Sequence, residues 1–177
     1  MKVKTITTCA LFAALMCICG PLSVPIGPVP VSLTNLVIYF AVMILGTKGT
    51  LISYIVYLLL GLVGLPVFSG FQGGVAKLAG PTGGYLIGFI LMIPICGIIK
   101  EKCKANPVIT IVGMILGTLV AYAFGTAWFV FITKNTVMAS LALCVYPFIP
   151  FDIAKIVIAV LIGRTIRKSL AAAGVLK

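Results

Sequence analysis

The sequence predicts an all-α integral membrane protein with six transmembrane helices, and three observations predict it. Hydrophobic residues make up 62% of the 177 positions and charged residues only 8%, with a mean hydropathy of +1.32; soluble chains are about half apolar and a quarter charged. The apolar stretches are continuous rather than alternating, which favours helices over a barrel. The basic residues, finally, gather in alternate loops.

About 20 apolar residues cross a bilayer core, and the apolar runs give spans over roughly 5–21, 31–46, 50–64, 83–100, 108–132 and 147–166. The first, in "MKVKTITTCALFAALMCICG", has the basic start and apolar core of a secretory signal. No small-x-small cleavage site precedes a polar domain and more spans follow, so it is expected to be a helix of the bundle. The whole chain, 1–177, is expected to form one transmembrane domain without soluble domains, low-complexity linkers or a visible internal repeat.

Loop charges set the orientation. Lys2, Lys4, Lys48, Lys100, Lys102, Lys104, Arg164, Arg167, Lys168 and Lys177 lie on one side, Lys77 and Lys134 on the other, and Lys155 inside the last span. The positive-inside rule then puts both termini in the cytoplasm. The net charge of +11 reads as topology and contact with the lipid bilayer, not as a nucleic-acid surface.

The connections on the predicted outer side are unusual. "GPLSVPIGPVPVSLTN" carries Pro21, Pro25, Pro28 and Pro30, which forbid regular helix and favour extended, polyproline-like backbone. Nine of the 19 glycines fall between Gly61 and Gly88, in a loop that is also apolar and aromatic, with Phe68, Phe71 and Tyr85. Irregular backbone at membrane depth survives where it is buried or lines a cavity, and glycine lets backbone approach a ligand. A capped pocket is one reading; a tight reversal between helices is the other.

The third connection leads into "YPFIPFDIAK". Pro147 and Pro150 suit a first helical turn. Asp152, one of two acidic residues in the chain, would sit in that turn, where the macrodipole favours a carboxylate. Lys155 follows at i+3 on the same face. Charges in a membrane helix cost a few kcal/mol each and normally face an interior cavity; a purely structural salt bridge is the alternative. The other acid, Glu101, lies in a basic loop where water can solvate it. Three unusual loops and one ion pair at the same end suggest a small-molecule site.

Other signals are weaker. The six cysteines lack both CxxC spacing and any accompanying His, which argues for packing rather than metal binding, so no metal or cofactor is expected. Gly113, Gly117, Ala121 and Gly125 form a small-residue stripe best suited to internal packing, and Ala10 and Ala14 form a small-xxx-small face on the first helix. No GxxxxGK[ST] motif is present, so any ATP hydrolysis belongs to partners. An intramembrane enzyme would need paired acids, His or a Ser–Lys arrangement, and a channel would need polar rings through the membrane; the chain offers neither, so it is not expected to be an enzyme.

"GPVPVSLTNL" (27–36), "GLPVFSGFQGGVAKLAGPTGGYLIGF" (64–89) and "YPFIPFDIAKIVIA" (146–159) strongly resemble the BioY family, the substrate-binding S components of energy-coupling factor (ECF) biotin transporters. The resemblance runs over essentially the whole chain and its number of spans. It implies a six-helix S-component-like bundle in the bacterial cell membrane that captures external biotin. Delivery would run through a transmembrane coupling protein (T component) and two ABC-type ATPases. An S component of the same architecture for a different vitamin is the alternative, although thiamine or riboflavin would call for more aromatic stacking residues than the single Trp128 and its neighbours suggest.

The family's acidic and basic ligand contacts match Asp152 and Lys155, without deciding which biotin oxygen the ammonium takes. Its glycine-rich cover matches about Phe68 to Tyr85, with Ser69, Gln72, Thr82 and Tyr85 as contacts. Ala10 and Ala14 resemble the docking surface for the coupling protein. One departure concerns the first motif: members often read "PVPITLQTL", and this chain has Thr34 at the usual Gln position, with the adjacent Asn35 expected to point elsewhere on a helix.

Overall fold

The computed structural model describes residues 3–25, 29–103 and 106–174; Lys2, Pro28, Lys104 and Lys177 lie outside them. Helix α1 spans Val3–Cys19. Strands β1 (Ser23–Pro25) and β2 (Pro30–Ser32) then pair as an antiparallel hairpin with Val24 opposite Val31. The prolines keep this segment extended, as expected, but it pairs with itself rather than forming a solitary polyproline strand.

Helix α2 is recorded over Thr34–Leu62, yet Gly46 inside it has φ 75° and ψ −172°. That conformation stops a helix and is open to glycine. The contacts on either side show that the chain reverses there. In the limb before it, the Val42 carbonyl accepts from Lys100 Nζ at 3.0 Å, while Asn35 shares a cavity wall with Leu86. In the limb after it, Thr47 bonds Glu101, and the Tyr54 hydroxyl donates to the Leu86 carbonyl at 2.6 Å. One limb therefore runs along 86–100 and the other runs back, so α2 holds two antiparallel helical segments where the sequence predicts two spans.

Five elements follow: α3 (Val75–Ala79), α4 (Gly83–Lys102), α5 (Pro107–Thr133), α6 (Val137–Cys144) and α7 (Ile149–Ala172). Asn106 caps α5 by accepting from Val108 N–H, and Thr136 caps α6 by accepting from Ala139 N–H. Neither α3 nor α6 is expected from the sequence, because short helices inside apolar loops leave no periodicity to read. α6 and α7 meet at 47°, and α4 and α5 are each long and apolar enough to cross a membrane.

The small-residue stripe of α5 packs inside the bundle. A Cβ at Gly113 would meet Ile99, at Gly117 Cys96, and at Gly125 the Tyr85 ring, while Gly88 of α4 faces Ala121. Tyr39, Tyr54, Tyr57 and Phe68 are fully buried in the centre. Leu11, Val112, Leu119 and Leu161 point outward, as a lipid-facing surface requires. Glu101 is exposed but not merely solvated: it accepts from Thr47 N–H at 2.8 Å and Thr47 Oγ1 at 2.9 Å, capping the second limb of α2.

Candidate functional site

Asp152 stands in the first turn of α7, where its N–H bonds the Phe148 carbonyl at 2.9 Å. It is 4% exposed and Lys155 is 8% exposed, and Nζ lies 3.1 Å from Oδ1. An ion pair this deep is stable only when further hydrogen bonds satisfy both partners. They are present. Asn35 Nδ2 donates to Asp152 Oδ1 at 2.7 Å, and the Tyr122 hydroxyl donates to Oδ2 at 2.5 Å. Lys155 Nζ also donates to the Ser32 carbonyl and to Asn35 Oδ1, both at 2.9 Å. Four elements thus meet: β2 supplies the Ser32 carbonyl, α2 Asn35, α5 Tyr122, and α7 the ion pair.

These groups form one wall of a small cavity of about 70 Å³. Val29, Pro30, Leu86, Phe89 and Phe148 make it largely apolar and aromatic, and Ser69, Thr82 and Tyr85 add polar edges from the glycine-rich segment. The cavity sets an apolar, aromatic lining beside a buried carboxylate–amide pair. Among the described residues no group of His, Cys, Asp and Glu could hold a metal.

The sequence pattern of the BioY family matches residues 1–172. This chain belongs to the BioY family. It is 35% identical over 171 residues to the biotin transporter BioY2 of Lactococcus lactis subsp. cremoris strain MG1363, covering 96% of this chain and 93% of that one. It is 38% identical over 170 residues to the probable biotin transporter BioY of Pyrococcus horikoshii, covering 94% and 98%. A crystal structure at 2.1 Å of the S-component for biotin from an ECF-type ABC transporter superposes with a TM-score of 0.87 at 36% identity, covering 94% of this chain and 92% of that one. The fold is therefore that of an ECF S component, and the chain is a multi-pass membrane protein.

Within this BioY-family bundle the expected site residues separate into two groups. Asp152, Lys155, Tyr85, Thr82 and Ser69 line the cavity. Tyr85 is held by Thr126 Oγ1 at 3.2 Å and the Cys144 carbonyl at 3.4 Å. Phe68, Gln72 and Thr34 do not line it. Phe68 is fully buried, edge-on to Tyr57 with ring centroids 5.5 Å apart, in a slot left by Gly61. Gln72 is exposed and contributes backbone to a bridge with Phe68; its side chain belongs to a neighbouring surface basin with Lys77. Thr34 is buried against Ser32 Oγ at 3.2 Å.

Asn35 overturns an expectation. It points into the cluster, because the helix starts at Thr34 and turns its first residues toward α7. Tyr122 was not anticipated. Its signal is the i, i+4 pair with Thr118, both cavity-lining polar residues in a largely apolar helix. Trp128 stands in the last turns of α5, where Nε1 donates to the Gly80 carbonyl at 3.0 Å and pins the glycine-rich segment. Ala10 and Ala14 are both exposed on α1.

Proposed function

We propose that this chain is the high-affinity biotin-binding S component of an ECF-type importer in the bacterial plasma membrane. It takes biotin from outside the cell and hands it to an ATP-driven module of a T component and two ABC-type ATPases. It performs no bond-making chemistry itself. In this reading six spans cross the bilayer, both termini are cytoplasmic, and the cavity opens outward beneath the Ser69–Tyr85 segment. Exposed Ala10 and Ala14 serve the T component.

The buried cluster of Asp152, Lys155, Asn35 and Tyr122 beside a largely apolar, aromatic-lined cavity is the observation that carries the reading. A carboxylate accepts ureido N–H bonds, and the aromatic and aliphatic walls suit the bicyclic body. The test is calorimetric titration of biotin into the detergent-purified protein, with Asp152→Asn alongside. Tight binding by the parent, weakened at least about tenfold in Asp152→Asn, supports the proposal. A parent that ignores biotin and binds another vitamin refutes the ligand, and equal binding by the variant refutes the site.

A further inference from the structure

The cavity of about 70 Å³ is well below the roughly 300–1,000 Å³ of small-molecule sites, so a ligand is admitted only if a wall gives way. The walls differ in how firmly they are held. On one side, bonds among Ser32, Asn35, Tyr122, Asp152 and Lys155 tie β2, α2, α5 and α7 together. On another, α4 and α5 pack closely, with Gly88 against Ala121 and Gly125 against the Tyr85 ring. The glycine-rich side is different.

Its first half is anchored. Phe68 fills the slot at Gly61, Gly70 N–H donates to the Pro21 carbonyl at 3.2 Å, and Gly74 N–H donates to the Gly61 carbonyl at 2.7 Å. The second half is held lightly. Gly74 opens it at φ 86°, a conformation natural to glycine, and α3 then has no buried residue. Leu78 rests half-buried against the core, and Thr82 ends the stretch at the cavity wall. Among the described residues, one hydrogen bond ties 75–81 to a distant part of the chain: Trp128 Nε1 donates to the Gly80 carbonyl at 3.0 Å.

The donor is fixed and the acceptor is not. Two residues before Trp128, Thr126 bonds the Tyr85 hydroxyl, and Gly84 leaves room for the indole, since a Cβ there would meet the Trp128 side chain. The Gly80 carbonyl also accepts from Gly83 N–H at 3.0 Å. Lifting the segment off Trp128 therefore breaks one bond without stranding that oxygen, and the half-buried indole turns to water. Few buried contacts and a single tie mark this as the wall that yields.

We propose that Trp128 latches a movable cover, residues 75–82, over the empty site, and that ligand binding breaks the latch. The inference rests on biotin being the ligand, and it deepens that reading by naming the contact against which the ligand competes. A bond present only in the closed, empty form lowers apparent affinity by the fraction of molecules it holds closed. Removing it should tighten binding, whereas damage to the fold or to a ligand contact would loosen it.

The experiment measures biotin affinity by calorimetric titration of the full chain in detergent, together with the emission of Trp128, the single tryptophan. Trp128→Phe keeps an aromatic ring and loses the N–H; it should bind biotin about three- to tenfold more tightly, the worth of one hydrogen bond. Trp128→benzothienylalanine, which keeps the ring shape and loses only the N–H, should do the same, and it decides the question if Trp128→Phe does not fold. In the parent, saturating biotin should shift the emission to the red as the indole leaves Gly80 for water. Unchanged or weaker binding by the variants, or an emission spectrum that biotin does not move, overturns the latch and leaves the biotin reading intact. A parent that does not bind biotin overturns both.

Discussion

Asp152 receives three hydrogen bonds, from Lys155, Asn35 and Tyr122, so its charge is compensated in a site from which water is largely excluded. Removing one partner leaves an uncompensated buried charge. Lys155→Met should therefore lower stability by about 3–5 kcal/mol, read as a fall in the detergent melting temperature. Adding Asp152→Asn to Lys155→Met should restore most of that stability, because two neutral groups replace a broken pair, but should not restore biotin binding. Recovery of both would mean the pair is only a lock. The pairing of Asp152 with Lys155 was readable from i, i+3 spacing, since α-helical geometry fixes that proximity locally. The Asn35 contact was not: it joins residues 117 positions apart in the chain, and nothing local to α2 says which face of its first turn meets α7.

The two limbs of α2 show the same division between local signal and packing. Apolar runs broken near position 46 announced two spans, and Lys48 marked the turn. How tight the turn is depends on Gly46, whose φ of 75° is costly for any residue with a Cβ. An added Cβ there would also meet Glu101 Oε1, the carboxylate that caps the returning limb. Gly46→Ala should thus cost about 1–2 kcal/mol, visible as a lower melting temperature, with biotin affinity changed far less because the cavity lies at the other end of both limbs. An unchanged melting temperature would show that the turn relaxes freely. The glycine-rich segment was legible as unusual but not in detail. Phe68 became a structural anchor because Gly61 leaves a slot for its ring, and Gln72 turned outward, two outcomes set by neighbours on another helix.

The bundle separates its tasks by end. One end holds Asp152, Lys155, Asn35 and the cavity; the other holds Lys100, Glu101 and the turn at Gly46. The outward side of α1, carrying exposed Ala10 and Ala14, belongs to neither. If that face receives the T component, replacing both alanines with tryptophan should leave biotin binding within about twofold, since neither side chain approaches the cavity, yet abolish biotin uptake by cells carrying the complete transporter. Uptake at the parent rate would remove the docking assignment. Small residues matter on such a face because helices in lipid associate by close backbone approach rather than by hydrophobic burial.

Membrane insertion, helical class and the position of one ion pair followed from composition, apolar run length and i, i+3 spacing, all of which act within a few turns of chain or through average hydropathy. The polar cluster at the cavity wall did not. Which hydrogens of Lys155 are engaged, which end of Asn35 meets the carboxylate, and that Tyr122 completes the set depend on four elements converging from distant parts of the chain. Hydrogen bonds are directional and short-ranged, so their pattern exists only once packing has brought donors and acceptors within 3 Å or so of each other.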